Sequence, residues 1–430
     1  RSPGGAEGVG MADLLTPIDE HALVVRFGAT RRLTEQLAMV LSAEDQTVQS
    51  MPDISPTKWH RAHTSWFFET FLLVPYLAGY EVFHPDFGYL FNSYYVGVGD
   101  RYPRSDRGLV SRPGIIEIAN YRRHVDVQMG MLLAAGLEPE AAFLVELGIE
   151  HEQQHQELLL MDIKHVLSCN PMLPAYLPLT LPGPEPAAPA TWTTHPGGTF
   201  EIGHTGDGFG FDNEFPRHQA HFEPFALTDR PVTCGEWLAF IDDDGYGRPE
   251  LWLSDGWATV EVEGWKAPLY WTHRNEGWQE FTLAGEVPVE PSRPVCHISY
   301  FEADAYARWA GFRLPTEAEW EVVSTVRATD VPDGHLLDTL VLHPSPAPGG
   351  SAPPLGDVWQ WTSSAYGPYP GFAPESGAVG EYNGKFMVNQ YVLRGGSCIT
   401  PIDHIRPTYR NFFPPSARWA FSGLRLARNA

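Results

Sequence analysis

The sequence predicts an α+β multidomain protein, with a helical front half and a turn-rich back half that mixes strands and helices. Three observations predict it. From about 17 to 170, apolar residues recur at intervals of three and four; seven prolines then crowd into 170–192; from 193 onward short apolar pieces alternate with Gly, Pro, Asp and Asn. At 430 residues the chain has room for two or three domains, each with its own core. A hydrophobic fraction of 43%, with 14 Trp, 17 Tyr and 23 Phe, is that of a globular protein and not of a disordered one.

In the front half, Glu20 to Leu41 has helical spacing and no proline. Ser55-Pro56 reads as an N-cap followed by proline at the first helical position, opening a helix from Thr57 to about Leu73. Residues 84–114 are irregular and rich in Gly, Pro, Tyr and Arg, a length of loop that usually carries function. Pro113-Gly114 precedes a third helix, about Ile115 to Ala135, and a fourth runs from about Pro139 to Leu167. Four helices with one long excursion suggest a four-helix bundle, a common frame for metal sites built from inward-facing side chains. The proline-rich stretch 171–192 is an interdomain joint, since it suits neither helix nor central strand. Beyond it, Gly198–Gly203, Phe222–Leu227 and Val392–Gly396 read as strands, and Cys234–Ile241 and Phe301–Ala310 as helices.

Charge and cysteine content narrow the setting. With 53 acidic and 29 basic residues the formal net charge is −24, which repels nucleic-acid phosphates and anionic lipid, so neither nucleic acid nor membrane is an expected partner. The four cysteines, Cys169, Cys234, Cys296 and Cys398, lie far apart without Cys-x-x-Cys spacing, which suits a reducing, cytoplasmic location. No apolar run reaches the roughly 18 residues of a membrane span. Residues 1–16 are expected to be a flexible leader with Met11 as the natural start, lacking the apolar segment of a signal peptide.

The chemistry concentrates in His151-Glu152-Gln153-Gln154-His155. Residues four apart on a helix lie one above the other, about 5–6 Å between Cβ atoms, so these two imidazoles can share a divalent metal. His-Glu-x-x-His is also the zincin protease signature, with the glutamate as general base. That reading fails for want of a third ligand: no Gly-x-x-His follows, and after Glu157 no glutamate occurs before Glu185 in the joint. A third ligand lies upstream, where His60 and His63 sit one turn apart in an aromatic helix; spacing alone does not choose between them. Three histidines with open positions suit hydrolytic Zn(II) or oxygen-activating Fe(II), and ligand type leaves both open.

The stretch Trp59-His60-Arg61-Ala62-His63-Thr64-Ser65-Trp66-Phe67-Phe68-Glu69, with His151-Glu152-Gln153-Gln154-His155-Gln156-Glu157, resembles the DinB-like bundle of the non-haem iron sulfoxide synthases of ergothioneine biosynthesis. Arg313–Glu321, Gly356–Ser364, Leu393–Ser397 and Phe421–Arg428 resemble the formylglycine-generating-enzyme fold, a C-type-lectin-like domain. The resemblance covers nearly the whole chain past about residue 15 and implies a DinB-like bundle over 17–170, a linker over 171–192 and the lectin-like domain over 193–430, with the site between them. It implies Fe(II) held by His63, His151 and His155, with His60 a packing neighbour. The implied reaction joins the sulfur of cysteine to the imidazole C2 of hercynine with O2, giving a sulfoxide. Formylglycine-generating enzymes use a late cysteine pair, whereas only Cys398 occurs in that region, so their chemistry is not expected.

The resemblance also assigns the surroundings. Gln154, Asn411 and Phe412, with neighbouring Phe413, match positions that bind the betaine; a quaternary ammonium is held by aromatic faces. Arg104 and Arg107, in the long loop, align with arginines that bind the thiol substrate, a guanidinium fork being the usual partner of a carboxylate. Tyr94 and Tyr95 sit where one branch carries a tyrosine pair able to donate a proton near the metal, with Tyr366 and Tyr369 as rivals. The branch using γ-glutamylcysteine has an aspartate where this chain has Phe413 and an arginine where it has Ala417, so free cysteine is the expected donor. Alternatives are the same chemistry with γ-glutamylcysteine, an ovothiol-type or selenium-donor variant, a Zn-dependent thiol-transferase or hydrolase, and a non-catalytic ligand-binding module.

Overall fold

The computed structural model describes residues 20–184, 188–327, 334–347 and 353–430; the leader expected over 1–16 lies outside them. The chain divides into two compact units. The first comprises Arg1–His155 with Gly203–Arg217 and Pro368–Phe386, and the second Gln156–Ile202, His218–Gly367 and Met387–Ala430. Two short segments from the back half thus belong with the front half, a grouping that the composition break at 171–192 does not foretell.

The first unit is built on four long helices, α1 (Glu20–Met39), α2 (Thr57–Phe68), α3 (Ile115–Ala134) and α4 (Pro139–Ser168), the division falling inside α4 after His155. Leu23 and Phe27 of α1, Trp66 and Phe68 of α2, Ile118, Val125 and Met129 of α3, and Val145 and Ile149 of α4 share one core. In α1, α3 and α4 their spacing of four and seven residues puts them on one stripe of the helix, whereas Trp66 and Phe68 belong to a helix buried on every side. All twelve residues of α2 are buried. Its polar side chains must therefore find partners inside, and Arg61 does so with Glu35 and Gln46. Gly148 permits the close approach of α4: a Cβ there would lie 2.5 Å from Cε1 of Phe68.

The start of α2 departs from the expectation. Pro56 itself is the N-cap, with no side-chain cap, and the Ser55 hydroxyl instead accepts from Arg107 Nη1 at 2.8 Å. A buried guanidinium 52 residues away competes successfully for that hydroxyl. At its other end α2 continues through a π-helical turn, Glu69–Leu73. The buried Glu69 carboxylate there accepts from the Tyr80 and Tyr121 hydroxyls at 2.5 and 2.6 Å.

The second unit carries four small sheets among its described residues. Asn411–Phe413, Tyr391–Arg394 and Trp359–Ala365 are antiparallel neighbours, and Ser422–Gly423 adds a short parallel edge. Trp192–His195 and Ala427–Asn429 flank Phe225–Thr228, Gly198–Ile202 pairs with His218–Phe222, and Trp271–Pro288 forms a three-stranded meander. Four helices accompany them: Cys234–Asp242, Ser254–Glu263, Tyr300–Trp309 and Glu317–Arg327. Two begin with reciprocal capping boxes, Thr233 with Glu236 and Ser299 with Glu302. Trp237, Trp320, Trp359 and Trp361 are fully buried in this unit. The α+β class is as the sequence predicts. No helix among the described residues is long and apolar enough to cross a membrane.

Candidate metal centre

Helix α2 presents His60 and His63 one turn apart, and α4 presents His151 and His155. Ring nitrogens of His63, His151 and His155 all lie within 4.8 Å of one another. His63 Nε2 is 3.2 Å from His151 Nε2. His63 belongs to this cluster of three, while His60 meets His155 Nδ1 to Nδ1 at 2.9 Å. His63 donates its Nδ1–H to the Phe91 carbonyl at 2.6 Å, which leaves the Nε2 lone pair for a ligand. Aromatic packing fixes the rings. His63 stacks between Trp59 and Trp66, with centroids 4.5 and 5.5 Å away, and His151 stacks on Phe67 at 4.7 Å.

Charge supports coordination. Burial, reinforced by the neighbouring imidazoles, holds His63 and His155 well below the usual histidine range, and burial brings His151 down to about 3. Neutral imidazoles are the form that binds metal. The buried His151 Nδ1 has no hydrogen-bond partner among the described residues. Three convergent, neutral nitrogen donors on two helices fit a divalent first-row ion, iron included.

The glutamate between the ligands cannot act as a zincin base. Glu152 is fully buried and bonded to Arg31 at 2.8 Å, Arg122 at 2.8 Å and Thr34 at 2.6 Å. Burial alone would raise its carboxyl; Arg31 and Arg122 outweigh that and hold it down to about 2. Both oxygens are committed to holding α1, α3 and α4 together.

Beside His151 opens a small cavity of about 40 Å³, and both Gln154 and Tyr95 line it. Tyr94 does not. Its hydroxyl accepts from Arg104 at 2.8 Å, and its ring packs on Tyr382 and Phe386. Arg104 is exposed and also donates to the Asp53 carbonyl. Arg107 is buried, its guanidinium 3.4 Å from the centre of the Trp59 ring that stacks on His63, and it donates to Ser55 and Ser93. Asn411, Phe412 and Phe413 form a strand of the second unit, where Phe412 stacks on Tyr366 at 4.0 Å and Phe413 meets Trp419 edge-on. Tyr369 is buried in the first unit.

Sequence reasoning missed the far wall of the cavity, where Asp212, Glu375, Tyr382 and Asn383 stand. They come from turn-rich segments with no periodic signal. Asn383 Nδ2 donates to Asp212 across 171 residues at 2.5 Å. Glu381, next to them, accepts from the backbone N–H groups of Val96 and Gly97 at 3.0 and 2.8 Å, tying this segment to the loop that carries the tyrosine pair.

Residues 180–335 and 344–430 match the sulfatase-modifying factor enzyme 1-like domain family. A formylglycine-generating enzyme of Streptomyces coelicolor is 28% identical over 295 residues, 58% of this chain and 93% of that protein. Similarity extends across both units to a hercynine oxygenase of Mycolicibacterium thermoresistibile, 34% identical over 409 residues, which is 87% of this chain and 88% of the relative. The chain belongs to the hercynine oxygenase family. A second relative, the hercynine oxygenase of Mycolicibacterium smegmatis, is 36% identical over 316 residues, 67% of this chain and 72% of that one. The protein is thus an enzyme of the hercynine oxygenase family with a formylglycine-generating-enzyme-like back half. Cys398, in that back half, is fully buried, and burial pushes its thiol well above the usual range.

Proposed function

We propose that this chain is an iron(II)- and O2-dependent sulfoxide synthase that joins the sulfur of cysteine to the imidazole C2 of hercynine. The observation that carries the reading is the convergence of His63, His151 and His155, three neutral imidazoles within 4.8 Å, in a chain of this family. Ferrous iron, when bound, supplies the redox chemistry with dioxygen and favours the thiolate of the sulfur donor. The two substrates provide the electrons; one oxygen atom ends on sulfur and the other as water.

The protein's own groups have distinct tasks in this proposal. Phe91 O and His60 fix the orientation of His63 and His155. Tyr95, whose hydroxyl is kept protonated by burial, holds a proton at the edge of the cavity that His151 lines. Arg104 and Arg107 bind the carboxylate of the thiol substrate, and Gln154, Asn411, Phe412 and Phe413 bind the betaine. Cysteine is preferred over γ-glutamylcysteine because Phe413 and Ala417 offer no charge to a glutamyl arm. The DinB-like character of residues 17–170, their linkage through 171–192 to the 193–430 domain, and a cytoplasmic location belong to the same proposal.

Anaerobic loading with Fe(II), followed by O2-uptake measurements and mass spectrometry of the products, tests it. Uptake that requires both hercynine and cysteine, with a sulfoxide adduct formed, supports the reading. Activity with zinc alone, or no uptake with any pair of substrates, contradicts it. Replacing cysteine with γ-glutamylcysteine in the same assay tests the donor.

A further inference from the structure

The stretch after Phe91 sends two neighbouring tyrosines in different directions. Tyr94 packs on Tyr382 and Phe386, with its hydroxyl held by Arg104. Tyr95 is buried against Trp66, Phe67 and Phe71, with ring centroids 5.6, 6.4 and 5.2 Å away, and Trp66 in turn stacks on His63. The two side chains are identical, so they do not dictate this division. The backbone decides it, and a slip of one residue along the turn would put Tyr94 in the place of Tyr95.

Two side chains hold that backbone. Asn92, itself buried, accepts from the Tyr95 N–H through Oδ1 at 3.3 Å. Through Nδ2 it donates to the Tyr95 and Gly99 carbonyls at 3.0 and 3.1 Å. An amide side chain can grip the N–H and C=O of one residue together because it carries both an acceptor and donors. Glu381, from the segment Pro368–Phe386 of the same unit, accepts from the next two N–H groups, those of Val96 and Gly97, at 3.0 and 2.8 Å. Lys385 and the Gly97 N–H hold the Glu381 carboxyl below its ordinary range, so it meets these donors as a carboxylate, the stronger acceptor. Asn92 also directly follows Phe91, whose carbonyl takes the Nδ1–H of His63. One short stretch therefore steadies both a ring of the histidine cluster and the tyrosine near it.

We propose that Asn92 and Glu381 are positioning residues for Tyr95, holding the 92–99 turn in the register that puts this tyrosine, and not Tyr94, in the wall of the cavity. The inference rests on the proposed function for its consequence. A displaced Tyr95 hydroxyl lowers carbon–sulfur bond formation relative to plain thiol oxidation, in which cysteine and O2 combine to the sulfinic acid. Both oxygen atoms then stay on sulfur, and hercynine is untouched.

The test compares full-length wild type with Glu381→Ala, Asn92→Ala and Lys385→Ala, the last removing the ion pair to Glu381 but neither backbone bond. Hydrogen exchange of the 92–99 segment, followed in metal-free protein, reads the turn. The ratio of sulfoxide adduct to sulfinic acid, with Fe(II), hercynine, cysteine and O2, reads the consequence, and iron content is measured alongside. Glu381→Ala is expected to speed exchange in that segment about tenfold. It should lower the product ratio by about tenfold or more with iron content unchanged. Asn92→Ala should do both to a larger extent, and Lys385→Ala should leave both near wild type. Exchange unchanged in Glu381→Ala and Asn92→Ala overturns the proposal. So does faster exchange with an unchanged product ratio, or a ratio that falls only in step with lost iron. Faster exchange in the variants, where wild type itself forms no adduct, keeps the positioning of Tyr95 and sinks the synthase reading.

Discussion

The Nε2 atoms of His63 and His151 lie 3.2 Å apart although 88 residues separate them, and the Nδ1 of His63 is already spent on the Phe91 carbonyl. A pair of neutral imidazoles held this way, with His155 beside them, has a lone pair to give and a ring that cannot turn away. His155→Ala and His63→Ala should each abolish tight Fe(II) binding. His60→Ala removes the outer contact to His155 and should weaken binding by about ten- to a hundredfold. Anaerobic metal titration of the three variants checks this; equal losses in all three would make His60 a ligand.

The two adjacent tyrosines should behave differently. Tyr95 lines the cavity that His151 lines, whereas Tyr94 is engaged by Arg104. Tyr95→Phe is expected to divert turnover from carbon–sulfur bond formation towards plain oxidation of the thiol. Tyr94→Phe should leave the product ratio near wild type and at most raise the KM for the thiol. Product analysis by mass spectrometry decides, and identical ratios in both variants would contradict the assignment of Tyr95.

Glu152 is a structural residue in this account. Replacing it with Ala removes the carboxylate that Arg31 and Arg122 share, leaving them Asp126 and Glu35, and should cost about 1.5–3 kcal/mol of stability, read from denaturant unfolding. A variant of unchanged stability that lost only catalysis would return this glutamate to the chemistry.

Acid should loosen the second unit at an identifiable point. Burial alone would raise the Glu317 carboxyl, but Arg410 and Arg394 hold it below its ordinary value of about 4.5. A folded-state value lowered in this way contributes stability that is fully present above the unfolded value and is lost as pH falls through the folded one. Glu317→Gln should therefore be less stable than wild type at pH 7 by about 1.5–3 kcal/mol, and the gap should close once the pH falls well below 4.5. Unfolding curves across pH 3–7 measure it; a gap independent of pH would contradict the assignment.

Much of the site was legible because two of its ligands share one helix. The i, i+4 spacing of His151 and His155 places them on one face whatever the tertiary fold. The choice of His63 over His60 was beyond spacing, since both stand one turn apart in a helix buried all round. Which of them lies with His151 and His155 depends on the direction in which α2 packs, and the family resemblance, not the spacing, named His63. Asp212 and Glu375 left no trace at all: they are 163 residues apart, in segments without periodicity, and meet through loop packing. The helix Ser254–Glu263 was also missed. Its tail, Val260-Glu261-Val262-Glu263, alternates like a strand, yet Val260 is buried while Val262 is 82% exposed, the outcome of packing Gly256 against Phe301.

Anomalous diffraction at the iron edge, from crystals grown with Fe(II) under argon, tests the central claim most directly. One strong peak is expected at about 2.1 Å from a ring nitrogen of each of His63, His151 and His155. A peak elsewhere, or one coordinated by His151 and His155 with the His63 ring turned away, would contradict it.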